Sequence, residues 1–118
     1  MIAVELPWPD KVLSPNARTH WARKAKAVKA ARVAAFYLVR AVAKSTLDAS
    51  GAHVRMTFCP PDNRRRDRDN LIASMKAATD GISDAIGIDD SKFQSTYAIG
   101  EPIKGGLVRV EIEPARAA

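Results

Sequence analysis

The chain has 118 residues, of which 47% are hydrophobic and 27% charged, the proportions of one ordinary globular domain. Its formal net charge of +6 favours a polyanionic partner such as nucleic acid, although such a charge can also serve only solubility. The single cysteine, Cys59, excludes an internal disulfide and a cysteine-based zinc site, and the lack of a membrane-length apolar run or an N-terminal signal core predicts a cytoplasmic protein.

The first part of the chain is predicted to form one strand and one long helix. Alternating apolar residues predict a strand over 2–6 that ends at Pro7, followed by a loop over 13–19. The stretch 20–44 is rich in Ala, Lys and Arg and lacks Pro and Gly, so we expect a helix there. Its core-facing apolar stripe is predicted to comprise Val28, Ala31, Ala35, Val39 and Val42. Basic residues fall on the opposite face, namely Arg23, Lys26, Lys29, Arg40 and Lys44.

Three further strands are predicted by period-two alternation. The first covers 53–58 and ends at the prolines that follow Cys59. The other two cover 93–99 and 108–112. The turn signal Lys104-Gly105-Gly106 lies between these last two strands, so we expect it to join them as a hairpin.

A second helix is predicted from residue 69 or 70 to residue 85, stopping at Gly87. Gly81 lies in its middle and costs about 1 kcal/mol relative to alanine, so the helix could bend or break there. The resulting order, β-α-β-α-β-β, predicts a single α+β domain with helices packed on a mixed or antiparallel sheet. We place this domain at residues 1–113 and expect a short tail over 114–118.

Two carboxylates, Asp67 and Asp69, lie two residues apart within a run of four arginines, Arg64, Arg65, Arg66 and Arg68. Carboxylates at this spacing can share a hard divalent cation, and the arginines can grip phosphates bidentately. Asp-x-Asp alone is a weak signal, since a helix cap beside a solvated charge run explains the spacing equally well. In a basic chain the combination favours metal-dependent cutting of nucleic acid.

Lys76 and the pair Asp89-Asp90 extend this pattern. Lys76 follows Asp69 by seven residues, so on one continuous helix both project from nearly the same face, where the lysine could contact a scissile phosphate. One more surface lysine is the plain alternative. Asp89 and Asp90 follow the predicted helix, and adjacent carboxylates in a turn are usually only solvated. One of them could nevertheless return beside Asp67 as a third metal ligand.

The chain resembles the RusA-type Holliday junction resolvases of bacteria and their prophages. The matching segments occur in the expected order and span nearly the whole chain: Leu6-Pro7-Trp8-Pro9, Leu13-Ser14-Pro15-Asn16, Arg65-Arg66-Asp67-Arg68-Asp69-Asn70-Leu71, Gly87-Ile88-Asp89-Asp90-Ser91 and Gly105-Gly106.

The resemblance places the catalytic, metal-binding aspartates at Asp67, Asp69 and Asp90. Asp89 matches the neighbouring acidic position. The family lysine falls on Ala73, and Lys76 matches it only if one helical turn is inserted.

The resemblance also implies a homodimer that resolves four-way DNA junctions by paired symmetric nicks, in DNA recombination and repair. Magnesium, with manganese as a substitute, would serve as the cofactor, and cleavage would leave a 5′-phosphate and a 3′-hydroxyl. Flaps and forks are alternative substrates for the same chemistry. A DNA-binding module that no longer cuts is the alternative from another class; the displaced lysine favours it, and the three intact aspartates argue against it.

The segment before the long helix is predicted to contribute to DNA binding. Arg18 could contact the DNA backbone, and Lys26 and Lys29 on the helix could extend that contact. A role for His20 in starting the helix is favoured over a role as catalytic base. Trp8 and Trp21 could stack on unpaired bases, although tryptophans more often pack against a core or a partner subunit.

Overall fold

The computed structural model describes residues 1–115, and 116–118 lie outside the described residues. Three helices pack against a four-stranded mixed sheet, which confirms the predicted α+β class. The strands are β1 (Ile2–Pro7), β2 (Gly51–Cys59), β3 (Phe93–Ile99) and β4 (Leu107–Ala115). The helices are α1 (Trp21–Ala43), α2 (Arg68–Ser74) and α3 (Lys76–Ile86). Short 3-10 turns occur at Lys11–Leu13 and Asp90–Lys92.

The strands lie in the order β1-β4-β2-β3, so the predicted hairpin between β3 and β4 is wrong. β4 is antiparallel to both β1 and β2, whereas β3 is parallel to β2. The turn itself forms, with positive φ at Gly105 and Gly106, but it leads to a strand that is not adjacent to β3. β4 takes the inner position because Val108, Val110 and Ile112 are fully buried there, while β3 carries mainly exposed residues, as an edge strand can.

One face of the sheet forms the core with the helices. Its largest fully buried side chains are Phe58 and Met56 from β2, Ile112 from β4, and Ile82 and Ile86 from α3. Each such side chain contributes roughly 1.5–3 kcal/mol through burial. The alternate residues of β1, β2 and β4 point to the opposite face, most of them exposed, which is the period-two pattern that predicted these strands.

The core-facing stripe of α1 is shorter than predicted. Ala35 and Val39 are buried, but Val28 and Val42 are 39% and 49% exposed. α1 has 23 residues and is therefore about 35 Å long, whereas the 11-residue α3 that it crosses is about 16 Å long. Both ends of α1 consequently extend past the helix on which its middle packs.

The predicted second helix is divided at Met75 into α2 and α3, so it breaks before Gly81 and not at Gly81. Gly81 lies inside α3 where α1 crosses most closely. A β-carbon at residue 81 would lie only 2.2 Å from the carbonyl oxygen of Arg32 and 3.0 Å from Cβ of Ala35. The glycine therefore permits helix contact. Because of the break, Asp69 and Lys76 lie on different helices, which removes the continuous helix from which their shared face was inferred.

The C-terminal strand extends further than expected. Pro114 and Ala115, assigned from the sequence to the tail, belong to β4, and the Ser50 hydroxyl donates to the Ala115 carbonyl at 3.1 Å. The rest of the predicted tail, 116–118, falls outside the described residues. Among residues 1–115, no helix combines the length and the apolar character that crossing a membrane requires.

Candidate functional site

Two of the four arginines in the predicted phosphate-binding run form salt bridges within the chain. Arg64 and Arg66 both form salt bridges with Asp62, at 3.1 and 2.9 Å. The hydrogen bonds from Arg64, and then from Arg66, hold the pKa of the Asp62 carboxyl well below its usual range. The Arg66 guanidinium also lies over the Trp8 ring, 5.6 Å from its centroid. Asp62 and Trp8 thus fix the loop that leads to α2.

Of the other two arginines, one is hydrogen-bonded to the rest of the described chain and the other is not. Arg68 donates from Nη2 to the carbonyl oxygen of Tyr97 at 2.7 Å, which ties the start of α2 to the edge strand β3. Arg65 is exposed and makes no side-chain hydrogen bond or salt bridge within the described residues. Of the arginine run, Arg65 is therefore the side chain that can bind a phosphate without breaking an existing contact.

Asp67 has a structural role that leaves part of its carboxylate available. It is the N-cap of α2, and its Oδ1 accepts from the backbone amides of Asp69 at 2.9 Å and Asn70 at 3.3 Å. All its recorded hydrogen bonds fall on Oδ1, so Oδ2 remains open. Asp69 lies in the first turn of α2 and is exposed. The helix-cap interpretation is thus correct for Asp67, and it does not exclude a second role.

Lys76 bridges two carboxylates at the start of α3. Its Nζ lies 2.8 Å from Oδ2 of Asp90 and 2.9 Å from Oδ1 of Asp80. These hydrogen bonds, the one to Asp90 first, raise the pKa of Lys76. The structure thereby brings together two residues of the predicted site, Lys76 and Asp90. Sequence reasoning missed Asp80, although its position four residues after Lys76 is the ordinary spacing of a helical ion pair.

Asp89 and Asp90 have different surroundings. The Asp89 carboxylate caps the 3-10 turn that follows it, accepting from the amide and from the hydroxyl of Ser91. These bonds, the hydroxyl one first, lower the pKa of Asp89. Asp90 instead faces Lys76. Asp89 is thus a local cap, and Asp90 is the member of the pair that reaches another element of the predicted site.

The three predicted metal ligands are not assembled into one cluster. Within residues 1–115, no three His, Cys, Asp or Glu side chains are grouped so that they could hold a metal ion. The donor chemistry nevertheless suits magnesium, because Asp67 offers one open carboxylate oxygen and Asp69 is exposed beside it. Mg²⁺ is commonly bound by one or two carboxylates together with waters and substrate phosphates.

A cleft of about 280 Å³ lies between α1 and the two helices of the predicted site. Lys24 and Val28 line it from α1, and Ala73, Lys76 and Asp80 line it from α2 and α3. Ala73, where the resemblance places the family lysine, and Lys76 therefore border the same cleft. This geometry allows a lysine at either position to reach the same space, although the helix is broken between them.

Residues 11–47, called here the basic segment, contain nine cations and no carboxylate. The cations are Lys11, Arg18, Arg23, Lys24, Lys26, Lys29, Arg32, Arg40 and Lys44. Of these, Arg32 alone forms a salt bridge within the described residues, with Asp84 at 2.7 Å. The predicted DNA contacts Arg18, Lys26 and Lys29 are exposed. They are therefore available to a polyanion.

The aromatic residues near the N-terminus have separate roles. His20 is the N-cap of α1, with Nδ1 accepting from the Ala22 amide at 3.2 Å, as the helix-start interpretation predicted. Trp8 is half-buried and packs edge-to-face on Phe58, with the two ring centroids 6.2 Å apart. Trp21 is 76% exposed and contacts the His20 ring at 5.5 Å. Trp8 thus packs on the core, whereas Trp21 does not.

The chain is similar to an uncharacterized protein of Xylella fastidiosa (strain Temecula1). The two are 43% identical over 107 residues, which cover 88% of this chain and 70% of the relative. The chain belongs to the same family as this protein. No family model matches the chain.

Proposed function

We propose that this chain is a metal-dependent endodeoxyribonuclease that resolves four-way DNA junctions in recombination and repair. The observation that carries the proposal is the exposed pair Asp67 and Asp69, preceded two residues before Asp67 by Arg65, whose guanidinium makes no hydrogen bond or salt bridge within the described residues. Carboxylate oxygens for a hard cation and a free cation for a phosphate are the two things that phosphodiester hydrolysis needs in one place. The net charge of +6 supports DNA as the polymer that carries the phosphate.

In this proposal Asp67 and Asp69 would hold Mg²⁺ or Mn²⁺, and Asp90 would supply the third carboxylate that the resemblance assigns. Such an ion polarises a phosphoryl oxygen and makes a coordinated water more acidic. The Asp67 cap orients its carboxylate, since Oδ1 is fixed by two amides while Oδ2 has no hydrogen bond within residues 1–115 and would accept the metal. Arg65 binds a phosphate of the backbone next to the cut and holds the strand in place.

Lys76 fits a role at the phosphate that is compatible with its ion pairs. An ammonium group has three N–H donors, and Asp80 and Asp90 engage two of them. The third donor is left for a phosphate oxygen, which would place positive charge where negative charge develops during hydrolysis. The ion pair with Asp90 at the same time holds that carboxylate toward α3.

A homodimer is part of the proposal because of the symmetry of the substrate. A four-way junction has approximate two-fold symmetry, so a two-fold dimer presents identical sites to equivalent strands and can place two symmetric nicks. A single copy would cut one strand and leave the junction nicked. The dimer therefore explains resolution, and the chemistry at each site belongs to one chain.

One observation favours the second candidate, a junction-binding module without cleavage. Lys76 already provides a cation to Asp90, and Asp90 is not grouped with Asp67 and Asp69 in the part of the chain that the structure describes. If this arrangement persists on DNA, the basic surfaces would bind junctions while the carboxylates fail to assemble a metal site.

The test compares three substrates of matched sequence: a synthetic four-way junction, a flap and a linear duplex. We expect the wild-type chain to bind all three in EDTA, the junction most tightly, and to nick the junction on paired opposing strands when Mg²⁺ or Mn²⁺ is added. Equal or faster cutting of the flap would change the proposed substrate. Junction binding without cutting in either metal would establish the binding module instead.

A further inference from the structure

The indole of Trp21 lies on the same face of α1 as the core-facing residues, but the core does not cover it. Residues 21, 28 and 35 are seven apart, so they share one face of the helix. Ala35 is buried in the core, Val28 is 39% exposed and Trp21 is 76% exposed. The same face thus becomes progressively uncovered toward the N-terminus. Apart from its contact with the His20 ring, this large aromatic ring is mostly exposed and is available to an external partner.

The open end of this stripe leads to the cleft beside the candidate site. Lys24, one turn after Trp21, and Val28, two turns after it, both line the cleft between α1 and α2–α3. Lys76 lines the opposite wall and lies 2.8 Å from Asp90. Trp21 therefore lies one helical turn before the nearest of these cleft residues on the same helix.

The ring of Trp21 contacts the His20 ring and is flanked in the sequence by two cations without salt bridges in the described part of the chain. The His20 ring, itself fixed by its bond to the Ala22 amide, lies 5.5 Å from the indole at an interplanar angle of 32°. Arg18 and Lys24 are three residues away on either side, and neither forms a salt bridge within residues 1–115. An aromatic platform flanked by unpaired cations suits a nucleobase together with its phosphates.

We propose that Trp21 stacks on an unpaired nucleobase of branched DNA, with Arg18 and Lys24 at the flanking phosphates. The inference rests on the proposed function for its DNA substrate, but it concerns binding and not cleavage. Charge decides between DNA and a second copy of this chain. The basic segment has no carboxylate, so two copies meeting here would oppose cations to cations, whereas a nucleic acid strand would neutralise them.

The experiment uses the full chain in EDTA with a single-stranded oligothymidine, a four-way junction and a linear duplex. We expect Trp21→Ala to weaken binding to the single strand by roughly 5- to 100-fold, the effect of losing one stacked base, and binding to the duplex by less than about 2-fold. Trp21→Phe keeps a ring and should retain most of the affinity. Tyr37→Ala is the matched control, because Tyr37 is 67% exposed on the same helix but nearly opposite in direction.

Intrinsic fluorescence gives a second readout, since Trp8 and Trp21 are the two tryptophans. The single strand should quench wild-type emission, and Trp21→Phe, which leaves only the half-buried Trp8, should lose most of that quenching. Unchanged affinity in Trp21→Ala would overturn the inference, as would emission that depends on protein concentration without DNA, because a second copy would then cover the ring. Quenching without metal-dependent cutting would sustain the inference and refute the nuclease proposal.

Discussion

Two charged regions of the molecule use opposite designs. The basic segment, residues 11–47, has nine cations and no carboxylate, and Arg32 forms its one salt bridge within the described residues. Residues 62–92, the mixed segment, have six cations and seven carboxylates. In the mixed segment Asp62 and Lys76 are each shared by two partners of opposite charge. One region therefore keeps its charge free, and the other uses much of its charge internally.

The difference indicates what each region can do. Unpaired surface cations produce an attractive potential for a polyanion that weakens with salt, since bound phosphates release counterions. Paired charges contribute little to that potential, but they fix side chains in position. The basic segment thus suits capture of DNA, and the mixed segment suits placement of carboxylates and a lysine at a phosphate.

The two regions meet where α1 crosses α3. Arg32 of α1 forms hydrogen bonds of 2.7 and 3.0 Å to the Asp84 carboxylate of α3. The pair is about half exposed, so it contributes little to stability. The close contact at Gly81 is the stronger constraint, because a side chain there would collide with the α1 backbone.

The largest expected effect on stability comes from Gly81→Ala, which forces apart α1 and α3, where the two regions meet. Helix propensity alone predicts stabilisation by about 1 kcal/mol, whereas the 2.2 Å approach of Cβ to the Arg32 carbonyl oxygen predicts destabilisation by about 3 kcal/mol. The sign of the change in the free energy of unfolding, measured in urea, therefore shows which of the two effects is larger. Gly105→Ala is the control, since no atom lies within 4 Å of its added Cβ and only the positive φ opposes it. A more stable Gly81→Ala chain would show that the helices do not cross this closely.

Removing free charge from the basic segment should weaken DNA binding. We expect Lys26→Ala with Lys29→Ala to reduce junction affinity by about 10-fold at moderate salt and to lower the slope of log affinity against log salt by up to about 2. The control is Arg55→Ala with Lys104→Ala, which removes the same charge from exposed positions outside both regions. If the two double variants lose equal affinity, net charge alone governs binding and the basic segment has no special part.

Removing the lysine of the mixed segment should affect cutting and not binding. Lys76→Ala should slow junction cutting by about 10-fold through loss of charge at the phosphate, while stability changes by less than about 1 kcal/mol because the ion pairs are partly exposed. Asp80→Asn is the control, since Lys76 keeps Asp90 as its ionic partner in that variant. Nicking rates under single-turnover conditions measure both. Unchanged nicking in Lys76→Ala would remove Lys76 from the site.

Sequence reasoning recovered the elements better than their arrangement. Period-two alternation found all four strands, and the polar start of α1 identified His20 as its cap. The Gly105-Gly106 turn was found, but turn chemistry does not determine which strand pairs with the next one. The break at Met75 occurs in a sequence of good helix formers, so local propensity does not predict it.

For the site, the sequence identified the charged residues but not their partners. The spacing of Asp67 and Asp69 predicted a helix cap, which Asp67 provides, but the ion pair between Lys76 and Asp90 was not predicted. The internal commitment of Arg64 and Arg66 to Asp62 could not be read, because arginines in a run look equivalent until a loop conformation assigns their contacts. Likewise, the sequence does not show which of the two tryptophans is exposed. The core partly covers Trp8 and leaves Trp21 exposed.

Metal-dependent nicking of a four-way junction by Asp67→Asn tests the central claim most directly. Asparagine is as good a helix N-cap as aspartate, so this variant should keep the fold and junction binding while losing a metal-binding carboxylate oxygen. Asp10→Asn is the matched control, because Asp10 caps its 3-10 turn in the same way, accepting from the Val12 amide at 3.0 Å. We predict that Asp67→Asn nicks at least about 100-fold more slowly and that Asp10→Asn nicks like wild type. Nicking by Asp67→Asn at the wild-type rate would contradict the account.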